Sequence, residues 1–268
     1  MALHILNQYT SQKTTPPEQI ALQLKQAINQ LKGDFYDLET GGVHYAAIKG
    51  SSAYQDYLEA TAALREFDLN QLVDQAARLA FWINIYNALT VHGIIELGIH
   101  DSVREVSGFF GCVAYDIGGY HFSLDDIEHG ILRRNAKKHL LAARSFGSQD
   151  PRKQYVLEKL EPRIHFCLVC GSKSCPPIGT YQEEKIEQQL TLAASSFINS
   201  DNVILEKASW RLSLSKIFQW YGKDFGRKSD LLRFIAEHRH NPQDKDFILE
   251  HRDRLRIAYQ EYDWRLNH

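Results

Sequence analysis

The sequence predicts an α+β fold: a single helix-rich domain with a central, mainly antiparallel small sheet packed on a buried helix. Three observations carry this. Stretches with helical spacing outnumber alternating ones. The run Leu79 to Ile95, "LAFWINIYNALTVHGII", is uncharged and apolar on all sides, so it belongs inside a protein core. "FGCVAYDIGGYHFS" alternates around Gly118-Gly119 and reads as a β-hairpin with a tight glycine turn.

Thr15-Pro16-Pro17-Glu18 caps a first helix, in which Ile20, Leu22, Leu24, Ala27, Ile28 and Leu31 recur at near-helical spacing. A second helix fits Ser52 to Phe67. Asp68-Leu69-Asn70-Gln71 opens a helical region that runs to Gly98. After the hairpin, Ser123 to Asp126 caps a helix reaching about Arg134. "PRIHFCLV" reads as a strand entering a cysteine loop, and Thr180 to Glu183 as the cap of a helix of about five turns. "NVILEKASWRLSLS" is a strand pair, "SKIFQWYGKDFG" and "SDLLRFIAEHR" are helices, and "RLRIAYQEYDWRLN" is a closing strand. No repeat or linker cuts the chain. Residues 1–66 are expected to be a helical region packed on a main domain, 67–268.

The 268 residues carry a formal net charge of −2, with no global pull toward nucleic acid or an anionic membrane. Leu79 to Ile95 is short for a span and contains Asn84, Asn87 and His92. The N-terminus has no basic region followed by an apolar one, so it does not read as a signal peptide. Four cysteines are too few for a disulfide scaffold, and a reducing cytoplasm is the expected compartment.

Three stretches hold residues that can carry chemistry. Asn84 and Asn87, three apart, share a helix face and either brace neighbouring backbone or orient a catalytic group. His92 reads as a helix-flank histidine. Glu128 falls on the apolar stripe of "SLDDIEHGILRR", where a carboxylate needs a partner. His129 lies beside it, with Asp125 four residues earlier and placed to fix its tautomer. "HFCLVCGSKSCPP" holds His165, Cys167, Cys170 and Cys175. Three thiolates and an imidazole would suit zinc. On a strand, however, His165 and Cys167 point to one face while Cys170 lies beyond, and no second ligand pair exists elsewhere. Gly171 and the N–H groups of "GSKS" suit a loop that lowers a thiol pKa, whereas buried packing cysteines are the plain alternative.

"FWINIYNAL", "FSLDDIEHGILR", "PRIHFCLVCGSKSCPPI" and "YDWRLN" together resemble the uncharacterised family called domain of unknown function 547, from about Phe67 to the C-terminus. Members typically read "HFALNCGAKSCPP" in the cysteine loop. That form matches His165, Cys170, Gly171, Ser174, Cys175, Pro176 and Pro177 and has no cysteine where Cys167 stands. The resemblance supplies no activity. Relatives fused to glutaredoxin-like or signalling modules suit thiol chemistry and an interaction role equally.

Two readings stay open. In the first, the protein is a thiol-dependent hydrolase or acyltransferase, like papain-like and transglutaminase-like enzymes in logic only. Cys170 or Cys175 is its nucleophile, and His129 or His165 its base. Glu128 or Asp125 orients that base, and Asn84 or Asn87 steadies the site. The substrate would be a peptide, amide or thioester, with no cofactor, no nucleic acid and no membrane. In the second, the domain is a binding or scaffold module, the same polar residues form a buried network, and Cys170 and Cys175 are packed or joined in a short redox-sensitive bridge. A zinc-binding loop is the minor alternative. Oligomeric state is left open.

Overall fold

The computed structural model describes residues 2–11, 14–37 and 40–268. In it the apolar run becomes the long helix of an α+β fold. The helices in chain order begin with α1 (Ile20–Phe35), α2 (Tyr45–Ile48), α3 (Ser52–Ala62), α4 (Gln75–Glu96) and α5 (Phe109–Cys112). Asp74 starts α4 by accepting the Ala77 N–H at 2.9 Å, satisfying one of the amides that a helix start leaves without a partner. Between Leu79 and Ile95 every residue except Asn84 is buried, because no face of this helix is polar. The expected continuous helix from Asp68 is broken: Leu69–Gln71 is a separate 3-10 turn capped by Asp68. Likewise the second helix closes at Ala62 and continues as a 3-10 turn, Ala63–Glu66.

The chain divides into two compact units. The larger comprises Met1–Leu160, Leu168–Ile186 and Trp264–His268. Its sheet has the order β1 (His4–Ile5), β2 (Val113–Ile117), β3 (Tyr120–Ser123). β1 pairs parallel with β2, and β2 antiparallel with β3 in the register Ala114 to Ser123. The hairpin turns at Gly118 and Gly119, both at positive φ. Trp82 of α4 is fully buried against Phe81 and Phe122, at centroid distances of 5.1 and 4.8 Å. After β3, Ser123 accepts the Asp126 N–H and donates its hydroxyl to the Asp126 carboxylate. The helix so begun widens into a π-helix over Asp126–Leu132.

The second unit comprises Glu161–Cys167 and Glu187–Asp263. It contains α6 (Ile186–Ile198, all but its first residue), α7 (Lys216–Trp220), α8 (Lys228–His238) and α9 (Pro242–Glu250). Its sheet runs β4 (Val203–Glu206), β5 (Arg211–Leu214), β6 (Arg256–Tyr259), the first pair antiparallel and the second parallel. Phe166 sits in its core beside Phe197 and Phe218. The strands thus fall into two mixed sheets where the sequence suggests one central sheet. α6 has thirteen residues and follows a 3-10 turn at Glu183–Lys185, so the five-turn helix capped from Thr180 is not formed. The closing strand is also shorter than expected, four residues at Arg256–Tyr259.

"PRIHFCLV" is not a strand. Pro162–Phe166 is a 3-10 turn with proline at its first position, started by Glu161, whose side chain accepts the Arg163 N–H at 3.0 Å. The alternation of Ile164, Phe166 and Leu168 imitates a strand, but the Glu-Pro start decides the local structure. Among the described residues no helix is long and apolar enough to cross a membrane.

Candidate functional site

Cys170 and Cys175 meet in the larger unit. Gly171 stands between them at φ +76°, a region that favours glycine. A β-carbon on Gly171 would lie 2.5 Å from Ile94 Cδ1, so glycine also permits the loop's close approach to α4. The chain then turns back, the Cys175 N–H donating to the Ser172 carbonyl at 3.0 Å. This turn brings the two sulfurs to 2.9 Å. Cys175 Sγ also accepts the Cys170 N–H at 2.8 Å, and Cys170 Sγ lies 3.1 Å from Ser172 Oγ. Neither sulfur is in a disulfide and both side chains are half-buried, whereas Cys112 and Cys167 are buried. A backbone N–H aimed at sulfur is a contact that a thiolate can use, and Cys175 receives it.

Two asparagines of α4 hold the ends of this segment. Asn87 accepts the Val169 N–H at 3.0 Å. Asn84 donates to the Tyr181 carbonyl and accepts the Tyr181 N–H, both at 2.8 Å. On the other side the loop binds the segment Trp264–His268. Lys173 N–H donates to the Arg265 carbonyl at 2.8 Å and Asn267 N–H to the Gly171 carbonyl at 3.0 Å. Tyr45 stands near both thiols: burial first, then negative charge on Tyr36, Cys175 and Cys170, raises its phenol well above the usual range.

Glu128 and His129 form a second cluster in the same unit. Both are buried. Tyr86 donates its hydroxyl to Glu128 Oε2 at 3.1 Å. The Arg133 guanidinium reaches His129 Nδ1 at 2.8 Å. A guanidinium only donates, so Nδ1 is the acceptor and the ring proton sits on Nε2. Burial lowers the His129 pKa, with Arg133 and Lys138 acting in the same direction and Glu128 and Asp125 against it. Asp125 does not fix the tautomer as the sequence suggests. Its carboxylate is 3.7 Å from Nε2 and instead receives Lys138 Nζ at 2.8 and 3.0 Å. The lone pair that a general base would use is therefore already engaged by Arg133.

His165 belongs to the second unit. Its Nε2 is 2.9 Å from Asp224 Oδ2, and its ring stacks on Tyr221 at 3.9 Å between centroids. Cys167, in the same 3-10 region, has Sγ 3.4 Å from the Arg163 carbonyl. The alternation argument that sets Cys167 apart thus loses its basis, because these residues are not on a strand. Among the described residues no group of three or more His, Cys, Asp or Glu side chains converges as a metal would require.

Sequence reasoning misses Tyr45, Tyr86 and Asp224. Each contributes from far along the chain, and nothing local marks it. Arg133 was accessible, since i and i+4 residues meet on a helix face.

Residues 70–198 match the model of the family described as "Protein of unknown function, DUF547". The match contains α4, the hairpin, the Glu128–His129 helix and the whole cysteine loop. No curated protein and no solved structure matches the chain.

Proposed function

From a DUF547 segment at residues 70–198, we propose a domain that works through a paired thiol, Cys170 and Cys175, closing and reopening as a disulfide in exchange with a disulfide-bearing partner. One observation supports this reading: the two sulfurs, not joined as a disulfide, are 2.9 Å apart in a half-buried turn, and one of them accepts a backbone N–H. Cys175, as thiolate, attacks one sulfur of the partner disulfide, and the other partner sulfur leaves as a thiolate. Cys170 then gives its proton to that leaving thiolate and attacks Cys175 Sγ, expelling the second partner sulfur. Two protein thiols become one disulfide, and the partner disulfide becomes two thiols.

Thiol-dependent acyl transfer or hydrolysis is the second reading. It draws on the same cysteines and on the buried Glu128–His129 pair in a π-helix, an irregularity frequent at functional sites. The engagement of His129 Nδ1 by Arg133 weighs against it.

Pulse alkylation of the reduced native chain with iodoacetamide, read by peptide mass across pH, tests the exchange reading. Cys175 is expected to react with a midpoint below the ordinary thiol value of about 8.5. Cys112 and Cys167 stay unmodified, and His129→Gln leaves the Cys175 profile unchanged. Alkylation of Cys175 only after denaturation contradicts thiol chemistry of either kind. A profile abolished by His129→Gln in a folded variant favours the acyl-transfer reading instead.

A further inference from the structure

The loop that follows the π-helix of the larger unit is closed at its base. Asn135 accepts the Phe146 N–H at 3.0 Å and donates to the Phe146 carbonyl at 2.8 Å. The Arg144 guanidinium adds a hydrogen bond to the Asn135 carbonyl at 2.6 Å. Residues 136–145 therefore leave and rejoin the unit at one place, as an Ω-loop does. In the middle of the loop the Ala142 N–H donates to the His139 carbonyl at 3.1 Å, which makes Leu140 and Leu141 the two central residues of a β-turn. These leucines are 77% and 90% exposed. Single exposed apolar residues are ordinary, but the centre of a turn normally carries Gly, Pro, Asn, Asp or Ser. Two adjacent leucines held there are a contact surface that the unit itself does not cover.

The charge around the turn has one sign. From His129 to Gln149 the chain contains no Asp or Glu, and it carries Arg133, Arg134, Lys137, Lys138 and Arg144. Arg133 is buried against His129, and Lys138 donates to the Asp125 carboxylate at 2.8 and 3.0 Å, so these two add little. Arg134, Lys137 and Arg144 are exposed, and among the described residues none of them pairs with a carboxylate. Lys137 and Arg144 each stand three residues from a turn leucine, within about 11 Å even along an extended chain. The net charge of −2 over the whole chain hides this local excess.

An aliphatic tip among cations matches the anionic face of a lipid bilayer. The leucines enter the boundary between headgroups and acyl chains, while lysine and arginine stay at the phosphates. The hydrogen bond across the turn already satisfies the Ala142 amide, so the tip carries less unpaired backbone into the apolar layer. Nucleic acid would meet the same charges, but its bases stack on aromatic rings, and residues 136–145 include no Phe, Tyr or Trp. A protein groove reads apolar side chains at helical or strand spacing, which an adjacent pair in a turn does not provide. We propose that the Leu140–Leu141 turn docks the protein reversibly on an anionic membrane surface. The docking does not depend on the thiol reading, and the Cys170→Ser/Cys175→Ser double variant is expected to bind as the parent does.

The full chain is sedimented with sucrose-loaded vesicles of equimolar phosphatidylserine and phosphatidylcholine, and with vesicles of phosphatidylcholine alone. Binding to the mixed vesicles is expected to be at least about tenfold tighter at low salt, and to weaken as salt screens the charges. Leu140→Ser/Leu141→Ser and, separately, Arg134→Gln/Lys137→Gln are each expected to weaken it by about tenfold. Leu141→Trp places an indole at the headgroup level and is expected to bind at least as well as the parent. All these substitutions lie on the surface, so the variants are expected to keep the parent's urea midpoint. A parent that does not pellet with the mixed vesicles overturns the proposal. Undiminished pelleting of the serine variant overturns it too, since charge alone would then account for binding, as does equal binding to both vesicle types. A parent that dimerises through the turn and pellets with neither vesicle makes a second copy the occupant and likewise overturns it.

Discussion

Acidification from neutrality to about pH 4 is expected to cost the larger unit roughly 3 kcal/mol through His92 alone. His92 is fully buried in α4, not flanking it as its place in the sequence suggests. The hydrogen bonds around it have a direction. Tyr57 donates its hydroxyl to the Ala88 carbonyl at 2.8 Å, so at the 2.8 Å contact between the two phenols Tyr115 is the donor. The Tyr115 oxygen then accepts from His92 Nδ1, also at 2.8 Å. This fixes the Nδ1–H tautomer and leaves Nε2 buried with no hydrogen-bond partner among the described residues. Adding a proton at Nε2 would create an unsolvated charge, and Lys49 opposes it further. Burial, the larger cause, lowers the pKa from 6.5 to about 3.

The unfolded chain takes up this proton near the ordinary histidine value, and the folded chain only near 3. Between those values the unfolded state holds more protons, so stability falls as pH falls. The contribution is fully present above about pH 6.5 and is lost progressively toward pH 3. Chemical unfolding at pH 7 and about pH 4, parent against His92→Phe, isolates it. The variant is expected to lose roughly 3 kcal/mol less than the parent over that interval, whatever its stability at pH 7. Equal losses would contradict the buried neutral imidazole.

Gly130→Ala is the second large effect, at about 3 kcal/mol. The position lies in the π-helix that carries Glu128 and His129. A β-carbon there would come within 2.5 Å of Phe146 Cζ and 2.6 Å of Cε2. Phe146 cannot easily yield. It is buried, and its backbone is clamped at both ends by Asn135, which accepts its N–H at 3.0 Å and donates to its carbonyl at 2.8 Å. The Arg152 guanidinium covers the ring at 4.5 Å. Overpacking a site this closed outweighs the gain in helix propensity that alanine brings, which is on the order of 1 kcal/mol. Thermal and urea unfolding read the loss. Adding Phe146→Leu is expected to recover part of it, and an unchanged midpoint in the single variant would show that the ring has room to move.

Much of the fold follows from short-range signals. Gly118-Gly119 between alternating apolar residues gives the hairpin, and the unbroken apolar run gives α4. The failures also have local causes. Alternating Ile164, Phe166 and Leu168 suggest a strand, yet Glu161-Pro162 starts a 3-10 turn. α9 is absent from the sequence expectation although Asn241-Pro242 marks its start, with Asn241 accepting the Gln243 N–H. In the site, the meeting of Cys170 and Cys175 is legible from their spacing across a glycine. The commitments of His165 to Asp224 and of His92 to Tyr115 are not. Those partners come from elements 59 and 23 residues away, and tertiary packing alone selects them.

The paired thiol is tested most directly by equilibrating the native chain across a series of reduced to oxidised glutathione ratios, quenching with acid and mapping the peptides. The account predicts a reversible species lighter by two hydrogens, with Cys170 linked to Cys175 and the fold retained. A chain that yields only glutathione adducts, or stays fully reduced until it unfolds, would contradict it.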